Sequence, residues 1–172
     1  MVRGNFQMKT RNGFTLLELM IVCAIIALLS AISIVRFVQL IDIARESVTK
    51  ANLCSFRAAI ASYYCDTKGL YPVYLDSATR TNSNEILPVF IPRYMQKIPQ
   101  ASLRRNVPHN HSNAIATITT GEEEIATTTI ADVGGWIYSP SSGDIRINCT
   151  CKDVAGLNKI DGTRYYNYGH EE

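Results

Sequence analysis

The chain has 172 residues, with 17 Lys and Arg against 15 Asp and Glu, a formal net charge of +2. That length allows one compact domain plus an accessory segment, and the near-neutral balance argues against a general nucleic-acid binder. The charge is unevenly placed. The first 13 residues hold three of the basic side chains (Arg3, Lys9, Arg11) and no acidic one, so the remainder carries 14 basic against 15 acidic residues, a net of −1. A surface so balanced suits packing against copies of itself.

From Phe14 to Val35 there are 22 residues with one charged side chain, Glu18. As a helix at about 1.5 Å per residue this run covers roughly 33 Å, enough to cross the hydrocarbon core of a bilayer. The basic segment before it is expected to stay in the cytoplasm, which sends the C-terminal bulk outward. A carboxylate about one turn inside such a span is costly unless paired or protonated, and residues of that kind are usually functional. The plainer reading of Glu18 is a side chain snorkelling to the interface. A secretory signal cut at Ala31-Ile32-Ser33 is the competing reading of the whole run. It would need an apolar region of about 7–15 residues free of charge, whereas this one is longer and contains Glu18.

The block GFTLLELMIVCAIIALLSAISIVRF, with its basic leader ending in Gly13, resembles the N-terminus of type IV prepilins and of the pseudopilins of type II secretion. The resemblance is strong over residues 9 to about 37 and loose beyond. It implies that a prepilin peptidase cuts between Gly13 and Phe14 on the cytoplasmic face and methylates the new amino terminus. It implies that Glu18 then pairs with the cationic terminus of a neighbouring subunit. A glycine at position 13 also suits an extended segment with no side chain in a protease's way. The implied partners are the peptidase/methyltransferase, copies of the chain, minor pilins or pseudopilins, an inner-membrane assembly platform and the membrane. The implied location is the bacterial inner membrane, single-pass with the head outside, and then a periplasmic or cell-surface filament. Ala27 and Val35 stand where the family often has Gly and Pro.

The helical pattern continues past Val35. Phe37, Leu40, Ile41, Ala44, Val48, Ala51, Cys54, Ala58, Ala61 and Cys65 recur at three- and four-residue steps with charged residues between them. No Pro or Gly interrupts residues 14 to 68, and Gly69 suits a left-handed cap. One helix of about 50 residues, roughly 75 Å, is predicted, apolar all round in its first half and apolar on one face in its second. That face needs a cover from residues 70–172. The expected divisions are a leader at 1–13, a membrane or filament-core half-helix at 14–35, an amphipathic half-helix at 36–68 and a head at 69–172. The expected class is α+β, a pilin-like fold with the long helix packed on a small antiparallel sheet.

Leu70-Tyr71-Pro72 leaves the helix extended, and residues 76–85 read as polar loop. Strands are expected at Ala114–Thr120 and Ile125–Ile130, joined by Gly121-Glu122-Glu123-Glu124 as a solvated turn. Two more are expected at Gly134–Ser139 and Asp144–Asn148, around Pro140-Ser141-Ser142-Gly143. The string GGWIYSPSSGDIRI looks like a hairpin of pseudopilin-like heads, with Trp136 in the core.

Cys54 and Cys65 lie 11 residues apart, about 16 Å along a helix, too far to bond to each other. Cys149 and Cys151 share one side of a strand. Helix-to-C-terminus pairing is therefore expected, with Cys65 the easier to reach. It would close a loop of roughly 85–100 residues and contribute about 4 kcal/mol on the chain-entropy estimate. Cys23 reads as a small apolar packing residue. A four-cysteine zinc site lacks the paired C-x2-C spacing. By resemblance, Asp153, Asn158 and Asp161 are weak calcium candidates, although the usual ligand alternation is missing.

No hydrolase, metalloprotease or nucleotide-binding motif is present, and neither a catalytic residue nor a cofactor is expected. His109 and His111 read as exposed loop residues, and Arg104-Arg105 supports only weak, salt-sensitive contacts, so no specific nucleic acid is expected. The leading expectation is a structural subunit of a type IV pilus-like filament. The alternatives are a type II secretion pseudopilin and, more remotely, an anchored binding module or enzyme.

Overall fold

The structure is a computed structural model and describes residues 13–82, 85–108, 111–118, 125–154 and 164–169. One helix, α1 (Leu16–Asp66), runs for 51 residues without a break. Two short strands follow, β1 (Arg80–Asn82) and β2 (Glu85–Leu87), and then β3 (Ile115–Thr117), β4 (Trp136–Tyr138) and β5 (Ile145–Ile147). Single 3-10 turns sit at Thr127–Thr129 and Tyr165–Asn167. The chain divides into two compact units, residues 1–39 and 40–172.

Both ends of α1 are set locally. Thr15 caps its start. Its end is a Schellman-type closure in which the Gly69 amide donates to the Tyr64 carbonyl at 3.0 Å. The left-handed residue that opens the turn is Lys68 (φ 57°), one position before the expected Gly69, which follows at φ 96°.

Within the head, β3, β4 and β5 form one sheet in that order. The β4–β5 hairpin is antiparallel, with Trp136 opposite Ile147 and Tyr138 opposite Ile145, as the sequence suggested. Gly143 closes it at φ 72°, and a Cβ there would meet the Tyr71 ring at 2.2 Å. Three expectations are corrected. The sheet is mixed, because β3 lies parallel to β4. Residues 125–130 form no strand and instead carry the turn at Thr127–Thr129, with Ile125 and Ile130 anchoring it in a small satellite core beside Ile137. The polar stretch 76–85 supplies β1 and the start of a two-stranded antiparallel ribbon with β2. The expected Gly121–Glu124 turn and residues 119–120 lie outside the described residues.

The head's core packs on one face of α1, and that face is not the expected one. Leu53, Phe56, Ala59, Ile60 and Tyr63 are buried, whereas Ala44, Val48, Ala51, Cys54, Ala58, Ala61 and Cys65 are exposed. Bulk decides the choice. Large side chains fill the space under the sheet: Phe56 meets Trp136 edge-on at 5.1 Å between centroids. Trp136 Nε1 donates to Pro99 O at 2.8 Å, and Tyr138 OH donates to Pro72 O at 2.7 Å. The polar members of the buried face are satisfied too. Thr49 Oγ1 donates to Ser102 O at 2.7 Å and accepts from Ser102 N at 2.8 Å.

Candidate functional site

Gly13, Phe14 and Thr15 precede the helix. Thr15 Oγ1 accepts from the Glu18 amide at 3.2 Å, and Thr15 O accepts from the Leu19 amide at 3.3 Å. Thr15 is thus the N-cap, and Glu18 occupies the third helical position. This Thr-x-x-Glu spacing is that of a capping box. The sequence reading overlooked the role of Thr15, though the spacing itself was the signal. An acidic side chain in the first turn also complements the partial positive charge of the helix start. Phe14 is 76% exposed, and a Cβ placed on Gly13 would meet nothing within 4 Å. No internal packing therefore demands glycine at position 13.

From Leu16 to Ile34 the large apolar side chains are exposed, including Leu16, Leu17, Leu28 and Ile32. Their helix is long and apolar enough to cross a membrane, by length and composition. Of the two serines between Leu19 and Val35, Ser30 and Ser33, the Ser33 hydroxyl bonds back to the Leu29 carbonyl at 2.9 Å, which satisfies its donor within the helix. The helix passes Ala27 and position 35 without interruption. Cys23 is exposed on it. Among the described residues no cation pairs with the Glu18 carboxylate.

The other singled-out residues are in the head. All five cysteines are thiols in the structure. Cys54 is exposed beside Lys50, Arg57, Tyr168 and Gly169, and Cys65 is exposed beside Tyr71, Ser142 and Gly143. Cys149 is fully buried, and its sulfur, that of Cys151 and an Asp132 carboxylate oxygen lie within 4.8 Å of one another. Neither helix cysteine joins that group. Asp153 is buried and accepts from Tyr168 OH at 3.3 Å, while Asn158 and Asp161 lie outside the described residues. His111 Nδ1 accepts from the Leu103 amide at 3.2 Å, and His109 is likewise not described.

Glu46 is a site that sequence reasoning missed. It is 6% exposed, and its Oε1 accepts from Tyr165 OH at 2.5 Å and from Val154 N at 2.9 Å. Burial pushes its carboxyl above the usual range, and these two hydrogen bonds pull the other way. The contact ties the C-terminal segment to the helix across 119 residues of sequence. No local pattern announces it.

Comparisons with known proteins bear on the N-terminal region. Residues 8–34 match the family described as the prokaryotic N-terminal methylation motif. The chain is 43% identical over 59 residues to the type IV narrow pilus major component PilA5 of Thermus thermophilus. That match covers 34% of this chain and 51% of the relative, so the chain spans about half the length of the curated protein it matches. No solved structure matches the chain. The motif coincides with the Thr15-capped, unburied start of α1, and the rest of the chain supplies the helix-on-sheet arrangement of a pilin-like fold. The chain therefore carries a prokaryotic N-terminal methylation motif at the start of a pilin-like α+β structure.

Proposed function

We propose that the protein is a structural subunit of a type IV pilus-like filament. A prepilin peptidase removes residues 1–13 between Gly13 and Phe14 and methylates the new terminus. The half-helix 14–35 holds the subunit in the inner membrane until assembly, residues 36–68 brace the head, and residues 69–172 form the filament's outer surface. The observation that carries this reading is a helix left apolar and uncovered, with Glu18 in its first turn and an open glycine just before it.

In the membrane that surface is solvated by lipid. In the filament it exchanges lipid for the same half-helix of neighbouring copies, through head-to-tail contacts that do not close into a ring. The Glu18 carboxylate, buried on assembly, takes the cationic terminal amine of Phe14 from a neighbour as its partner, which sets the axial register. Residues 69–172 project outward to contact minor subunits and the assembly platform. The likeness to a pilus component supports a pilus over a secretion pseudopilus.

Substituting Glu18 tests the mechanism. Glu18→Ala should leave the protein processed and in the membrane fraction while filaments disappear from electron micrographs of the cell surface. Normal filaments from Glu18→Ala would refute the register pairing.

A further inference from the structure

The C-terminal cysteines sit on a backbone held in place from both sides. Cys149 N donates to Ile147 O at 2.9 Å, and Thr150 N donates to Asp132 Oδ1 at 2.8 Å. Arg164 Nη1 donates to Thr150 O at 2.7 Å, and Tyr165 N donates to Cys151 O at 3.0 Å. Cys151 N turns inward onto Cys149 Sγ at 3.3 Å. Asp132 is itself fixed in a left-handed conformation (φ 57°), with its amide on Asn148 Oδ1 at 3.2 Å. These bonds hold the segment with both sulfurs on one side, no more than 4.8 Å apart.

We propose that Cys149 and Cys151 form a disulfide with each other, a small ring spanning Thr150 that opens and closes by thiol–disulfide exchange. The two sulfurs differ in access in the way such an exchange requires: Cys151 is half-buried and Cys149 is fully buried. The Cys151 thiolate attacks an external disulfide, of a protein or of glutathione, and expels one thiol. The Cys149 thiolate then attacks the Cys151 sulfur of that mixed disulfide and expels the second. Two thiols of the chain are oxidised by two electrons, the external disulfide is reduced to two thiols, and the two protons pass to the leaving sulfurs. Burial pushes the Cys149 thiol up, so the second step is the slow one.

A ring this short removes little entropy from the unfolded chain, and its geometry is constrained, so the bond is an exchangeable one and not a staple. It also leaves Cys54 and Cys65 as exposed thiols. The inference concerns the head alone and holds whether or not the filament reading does.

The full-length protein in detergent is equilibrated across reduced and oxidised glutathione, alkylated and cut after Arg146 and Lys152. One peptide, residues 147–152, then carries both cysteines. It should lose both alkyl groups in one two-electron transition and become two hydrogens lighter, while Cys54 and Cys65 stay alkylated. Cys151→Ser should abolish the transition. Asp132→Ala, which frees the Thr150 amide, should shift the ring equilibrium toward the dithiol about tenfold. A crosslink from either cysteine to the peptides holding Cys54 or Cys65 would overturn the proposal, as would alkylation of both thiols in fully oxidising buffer.

Discussion

The two halves of α1 differ in the exposure of their side chains. Up to Gln39 the helix exposes Leu, Ile and Phe on every side. Beyond Leu40 it has two unlike faces. Glu46, Thr49, Leu53, Phe56, Ile60 and Tyr63 are buried beneath the head, and a row of Ala, Ser and Cys is left outside. Apolarity alone therefore misleads in the second half. Alanine and cysteine count as apolar but fill little space, whereas Thr49 and Glu46 count as polar but are buried with partners in place. Side-chain volume and hydrogen bonding choose the covered face, while the large apolar side chains of the first half are left exposed.

The largest effect should come from breaking the covered face. Phe56→Ala empties the space against Trp136 and should destabilise the head by about 3–5 kcal/mol in denaturant titrations followed by Trp136 fluorescence. Ala58→Leu, on the bare face two residues away, should change the same titration by less than about 0.5 kcal/mol. Equal losses from the two substitutions would mean that the two faces do not differ in how the head covers them.

Thr15→Ala removes the hydroxyl that receives the Glu18 amide. It should cost about 1 kcal/mol at the helix start and speed hydrogen exchange of that amide about fivefold in detergent, with exchange in the head unchanged.

The smallest effect concerns Glu46. Its folded carboxyl titrates above its unfolded value, so the folded state binds the proton more readily. Its contribution is full below the ordinary glutamate range and is lost as pH rises through the folded value. Asp76, which Arg80 holds below the usual range, acts in the opposite sense and loses its contribution on acidification. Glu46→Gln keeps an acceptor for Tyr165 and Val154. Against wild type, it should flatten the fall in thermal stability just above the glutamate range, with a change of under about 1 kcal/mol at neutral pH.

What could be read in advance was local. An uninterrupted run without Pro or Gly marked the span of α1, and Pro140-Ser141-Ser142-Gly143 between Trp136-Ile137-Tyr138 and Ile145-Arg146-Ile147 marked the β4–β5 hairpin. Long-range pairing could not be read this way. The parallel contact of β3 with β4 has no turn to announce it, and the Glu46–Tyr165 hydrogen bond joins residues 119 apart. The Arg80–Leu87 ribbon was hidden because Thr81 is the one strand-favouring residue of Arg80–Asn82, in an otherwise polar stretch, and its register depends on pairing more than on composition. At the N-terminus the same Thr-Leu-Leu-Glu is both a helix cap and part of the N-terminal methylation motif, and the cap shows only in the structure.

Assembly as proposed requires the chain to be cut and modified at its N-terminus, so the most direct measurement is the N-terminal sequence and intact mass of the protein from its native membrane. The expected result is a mature chain that begins with N-methylated Phe14. A chain that retains Met1 and the basic leader, or one that begins after Ser33, would contradict it.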